Sequence, residues 1–132
     1  MSDRTKPDQR EPDGRVLALA AARAAAEKQA EGVLVLDVRG PIVITDYFVI
    51  ASAETDRQAK TVADEIQRTL KEMGASPARR EGEVEGRWIL LDYVDVVVHV
   101  FGKEEREFYG LERLWSDALP VDWESRDAAS SG

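Results

Sequence analysis

Three residues in one stretch of the chain have side chains that could do chemistry. Asp92, Asp95 and His99 interrupt the run from Trp88 to Phe101, WILLDYVDVVVHVF, the most apolar segment of the 132 residues. Two carboxylates this close can share a proton or hold a divalent ion. A histidine can act as a general base or as a pH-sensitive contact. Each also has a plainer role. Aspartates beside a turn accept hydrogen bonds from the turn backbone, and a strand histidine is commonly bonded in place. Phosphoryl transfer would need a glycine-rich phosphate loop or a basic clamp beside the acids, and no P-loop pattern occurs. The chain has one histidine and no cysteine, which removes histidine clusters, thiol catalysis, cysteine-bound zinc and disulfides. Strand spacing sets His99 more than one ligand length from the acids. No G-x-S-x-G elbow is present. Contact is therefore favoured over catalysis, and no metal or cofactor is expected.

The elements that would position these residues begin with the stretch itself. Read as a hairpin with Tyr93 and Val94 at the tips, Asp92 faces Asp95, Leu90 faces Val97 and Trp88 faces His99. Alternation puts those six side chains, with Phe101, on one face and Ile89, Leu91, Val96, Val98 and Val100 on the other. The second face is wholly aliphatic and must be core. The first is mixed, so it is either partly solvated or covered by something polar. A two-residue turn requires positive φ and prefers glycine or asparagine. Val94 fits poorly, and a longer or bulged loop would shift this register.

The rest of the chain supplies a framework. Residues 16–30 (VLALAAARAAAEKQA) favour helix, with Gly32 as a stop. Residues 33–38 and 47–51 read as strands. Thr55 and Gln58 have capping-box spacing, and Ala59, Val62, Ala63, Ile66, Leu70 and Met73 then recur at helical intervals up to Gly74. Pro77 to Glu83 holds a short edge strand. A third helix is expected over residues 104–118, with Phe108, Leu111, Leu114 and Trp115 as its buried stripe and Pro120 as its stop. The predicted order is α-β-β-α-β-β-β-α, a single α/β domain with a mixed five-stranded sheet packed with helices. Residues 14–120 form the expected domain, between a disordered tail over 1–13 and a flexible one over 121–132.

Charge narrows the partners. The formal net charge is −8, and the basic residues are dispersed, with only Arg79 and Arg80 adjacent. Such a surface repels phosphate backbones and suits a basic protein. No direct sequence-specific nucleic-acid binding is expected. No run approaches the roughly 18 apolar residues that span a bilayer, and no stretch has signal-peptide form. A cytoplasmic location without membrane contact is the expectation.

Several segments, taken in order, add a resemblance. DYFVI (46–50), Gln58-Ala59, Ala63-Asp64, Trp88-x-x-x-Asp92, DVVVHV (95–100) and LERLW (111–115) together resemble the ribosomal silencing factor, or Iojap, family over about residues 16–119. Members often carry glycine where this chain has Val94. The resemblance implies a nucleotidyltransferase-like fold without the catalytic motif. It implies no enzymatic activity, but binding to the large ribosomal subunit through its fourteenth protein, a basic β-barrel on the intersubunit face. Occupying that surface would block small-subunit joining and lower translation under nutrient limitation. The same contact would serve large-subunit assembly in organelles, and some members are dimeric when free. The contact residues expected here are Trp88, Leu90, Asp92, Asp95, His99, Tyr109 and Leu111. A large-subunit assembly factor without silencing, and a metal-dependent nucleotidyltransferase using Asp92 and Asp95, are the alternatives.

Overall fold

A computed structural model describes residues 13–40, 44–82, 87–114 and 117–124. Helix α1 (Gly14–Glu27) leads into strands β1 (Glu31–Asp37) and β2 (Tyr47–Ala53), followed by helix α2 (Asp56–Glu72). Strands β3 (Arg79–Glu81), β4 (Trp88–Asp92) and β5 (Val96–Gly102) come next, then helices α3 (Lys103–Tyr109) and α4 (Leu111–Leu114) and strand β6 (Leu119–Val121). The strands form one mixed sheet in the order β3-β4-β5-β2-β1-β6. Among the described residues, only β2 and β5 run parallel.

The sheet has six strands, not the expected five. Residues 119–121 pair antiparallel with β1, Val121 opposite Val35, and Trp123 Nε1 donates to the Val33 carbonyl at 3.0 Å. The folded part therefore runs past residue 120. Pro120 was read as a helix stop but sits inside this outermost strand, the position in a sheet where a missing N–H is tolerated. The expected helix over 104–118 is broken at Gly110, which adopts a left-handed conformation with φ 54 and caps α3. Phe108, placed in its buried stripe, is 80% exposed, because no residue of α3 is buried. Leu111 is partly buried. Trp115 and the Leu114 side chain lie outside the described residues, as do residues 1–12 of the expected tail over 1–13 and residues 125–132 of the one over 121–132.

Helices α1 and α2 cover one face of the sheet. Ala18, Ala21, Ala22 and Ala25 on α1 are fully buried, as are Val62, Ala63, Ile66 and Leu70 on α2. Small side chains on one helix let the other approach closely, and both pack on Val49, Ile89, Leu91, Val98 and Val100. The start of α2 follows its cap signal. Thr55 Oγ1 accepts from the Gln58 N–H at 3.0 Å. The Gln58 side chain reaches back one residue further than a capping box requires, accepting from the Glu54 N–H at 2.6 Å. Its amide nitrogen donates to the Lys28 and Gln29 carbonyls at 3.1 Å each, so one glutamine serves the end of α1 as well. That helix ends at Glu27, before the predicted stop at Gly32, with Gln29 in the left-handed region at φ 70.

Candidate functional site: the open sheet face

The hairpin that carries the candidate residues keeps the predicted faces for its ladder residues, but not for Asp95, and it does not keep the predicted pairs. Trp88 lies opposite Phe101, Leu90 opposite His99 and Asp92 opposite Val97. The turn tips are Val94 and Asp95, one residue further on than expected, and the ladder slips by two. The physical reason is local. Tyr93 N–H donates to the Val96 carbonyl at 2.8 Å, and Asp95 N–H returns to the Tyr93 carbonyl at 2.9 Å. That bond closes a three-residue γ-turn about Val94, whose φ is 75. A β-branched residue in this region is strained. Asp92 holds the turn in place, because its Oδ1 accepts from the Val94 N–H at 2.8 Å. A slip of two preserves the side of every ladder residue.

Asp92 and Asp95 do not form a pair. Asp92 stands on the mixed face, with Oδ2 3.4 Å from Arg79 Nη2. Asp95 sits at the start of α1: a Cβ built on Gly14 would meet its Cβ at 3.3 Å, beside Tyr47 and Val96. Its carbonyl accepts from the Asp46 and Tyr47 N–H groups. Among the described residues no three acidic or histidine side chains gather as metal ligands.

His99 is buried, 5% exposed, within an aromatic group. Its ring is edge-on to Phe48, with centroids 4.9 Å apart, and lies nearly parallel to Phe101 at 6.0 Å. Trp88 Nε1 donates to His99 Nδ1 at 3.2 Å. This bond needs an unprotonated Nδ1, so the neutral ring carries its proton on Nε2. Burial pushes the His99 pKa down to about 4, and the ring is neutral near pH 7. It is too deep to offer contact area of its own.

The aromatic group extends onto the last helices. Tyr109 lies 4.6 Å from Trp88 between ring centroids and is 46% exposed, while Phe108 beside it points outward. Arg106 fixes α3 and α4 to the sheet. Its Nη1 donates to the Gly32 carbonyl at 2.6 Å and to Ser52 Oγ at 2.9 Å, and its Nε pairs with Glu112 at 3.3 Å. Leu111 packs with Trp88 and Val97 against Phe48, Ile50 and Phe101.

Beyond the cover of α3 and α4 the same face is open. A cavity of about 510 Å³ is lined by Ile44, Thr45, Phe48, Arg79, Leu90, Asp92, Val94, Val97 and His99. Ile44 is 84% exposed and Val94 60%. Two buried polar atoms belong to lining residues and have no hydrogen-bond partner: His99 Nε2 and Thr45 Oγ1. Of the expected contact residues, Leu90, Asp92 and His99 therefore line the cavity, and Trp88, Tyr109 and Leu111 form the adjoining aromatic ridge. Asp95 belongs to neither. Sequence reasoning missed Ile44 and Thr45, which precede a strand without being in it. The positive-φ requirement at Val94 was the one signal that pointed there.

Residues 10–131 match the family model described as ribosomal silencing factor during starvation, RsfS. The chain belongs to this family. A Bacillus subtilis (strain 168) relative named ribosomal silencing factor RsfS is 46% identical over 102 residues, which span 77% of this chain and 86% of that one. A relative of the same name from Halalkalibacterium halodurans is 41% identical over 104 residues, covering 79% of this chain and 89% of that one. Among solved structures, a crystal structure of a Chromobacterium violaceum protein superposes with a TM-score of 0.77 at 30% identity, covering 80% of this chain and 88% of that chain. Membership makes this chain a ribosome-associated translational regulator by kind. No helix among the described residues is long and apolar enough to cross a membrane.

Proposed function

We propose that the chain binds the large ribosomal subunit through its fourteenth protein and sterically blocks joining of the small subunit, repressing translation in the cytoplasm when nutrients are limiting. The observation that carries this reading is the half-covered sheet face. It combines an aromatic ridge of Trp88 and Tyr109 with an apolar cavity and an acidic rim at Asp92. Aromatic anchors beside excluded water are the usual centre of a protein interface. A net charge of −8 speeds encounter with a basic surface. The mechanism is occupancy, with no bond made or broken, so the face needs shape and charge but no catalytic group. The parallel β2–β5 pair within a mixed sheet is compatible with a nucleotidyltransferase-like fold that has been put to binding.

Sedimentation with separated ribosomal subunits tests the reading. The protein should travel with large subunits and leave small subunits alone. Remaining at the top of the gradient would end the proposal. A subunit-joining assay then separates silencing from assembly: added protein should lower the yield of joined ribosomes. Trp88→Ala, which removes the ridge, should release the protein from large subunits and restore joining.

A further inference from the structure

The cavity beside His99 has features that a merely solvent-filled dent does not need. Val94 is held at φ 75, a conformation strained for a β-branched residue, and is 60% exposed at the rim. Glycine would occupy that turn without strain. Backbone strain of this kind persists where the surroundings over-determine it, and it clusters at binding sites. What the valine adds is an isopropyl group on the cavity wall, beside Ile44, Phe48, Leu90 and Val97.

The polar atoms are equally specific. Trp88 occupies Nδ1 of His99, and Trp88 is not among the cavity-lining residues. His99 lines the cavity, and its buried Nε2 carries a proton that has no partner. Thr45, another lining residue, also has a buried Oγ1 without a partner. Unsatisfied buried donors are unfavourable and call for an acceptor. Asp92 Oδ1 is taken by the Val94 N–H, but Oδ2 has a long, 3.4 Å pairing with Arg79, whose other partner, Glu81, is closer at 2.8 Å. A cation from outside would compete for Asp92 easily. A small anion is disfavoured by the −8 charge of the chain.

We propose that this cavity takes one aliphatic side chain from a basic protein segment, whose neighbouring lysine or arginine meets Asp92. The inference rests on the ribosome-binding reading above and specifies how the partner would be read. The aromatic ridge then supplies area, while the cavity supplies selectivity.

The test measures equilibrium binding of the full chain to purified large subunits, with thermal denaturation in parallel. Val94→Gly should melt at or above the wild-type temperature yet bind about tenfold more weakly, the loss expected for removing one buried aliphatic wall. Val94→Ile should bind as wild type does. Val97→Phe, which grows into the cavity from β5, should abolish binding while the protein stays folded. If Val94→Gly and Val97→Phe bind like wild type, the cavity is empty in the complex and the inference fails, while the ribosome-binding reading survives. If Val94→Gly weakens binding only as far as it unfolds the protein, Val94 is structural and the inference also fails. Failure of wild type itself to bind would overturn the underlying reading instead.

Discussion

The two faces of the central hairpin are built from the same two strands and obey different rules. Towards α1 and α2, Ile89, Leu91, Val96, Val98 and Val100 are each fully buried and aliphatic, so any close-packed apolar set of the right volume would serve. Towards the open side, Trp88, Leu90, Asp92, Val97, His99 and Phe101 combine rings, acid and imidazole. Leu90, Asp92, Val97 and His99 line an open cavity, and His99 Nε2 has no hydrogen-bond partner. The first face stores stability, while the second gives some up to keep a surface ready. Partnerless buried donors and a strained turn are unfavourable terms that a free protein optimised only for folding would lose.

The contrast predicts opposite responses to substitution. Leu91→Ala on the helix-covered face should cost about 2–5 kcal/mol in urea denaturation, with the folded fraction still binding large subunits normally. A loss of binding without loss of stability would show the two faces to be exchanged. The next largest effect concerns His99. Its pKa in the folded protein, about 4, lies below the ordinary 6.5, so the unfolded chain binds its proton first as pH falls. The stability contribution is whole above pH 6.5 and is lost progressively down to about pH 4. By the free energy of one pKa unit it amounts to about 3 kcal/mol. Urea titrations across that range should show this slope in the wild type and a shallower one in His99→Gln. Equal slopes would mean that the ring is solvated. Smallest is Asp92→Asn. The amide oxygen can still accept from the Val94 N–H, so stability should move by less than about 0.5 kcal/mol. Large-subunit affinity should fall, and less steeply with added salt than in the wild type. A change in stability with unchanged affinity would place Asp92 wholly in the turn.

Much of this division was legible in the residues alone, for a geometric reason. Side chains alternate with period two, so a slip of two leaves Ile89 and Val98 on the same side whichever pairs are drawn. The pairs themselves were not legible. They depend on whether the turn is centred before or after Val94, and Val94 contradicts its own propensity there. Helix α2 was readable because cap, periodicity and stop agree from Thr55 to Gly74. The last helix was not, because Gly110 can either continue a helix or cap it in the left-handed region, and local composition does not decide between them. Strand β6 lacked the usual signature, being three residues long with a proline at its centre. It exists because β1 offers it a ladder and Trp123 an anchor. The cavity escaped for a similar reason. Ile44 and Thr45 meet Leu90, Val97 and His99 only after β2 is laid beside β5.

The outermost strands have a consequence for life in a crowded compartment. A sheet normally ends in bare N–H and C=O groups that invite another chain to join. Here one end is β3, three residues that include two arginines and a glutamate. The other is β6, where Pro120 has no N–H to give. Both ends are short and chemically blunted, so further strands gain little by adding on. Self-association into extended β-assemblies is thereby discouraged at the margins of the molecule. Exposed apolar groups such as Ile44 and Val94 can then be tolerated away from those margins.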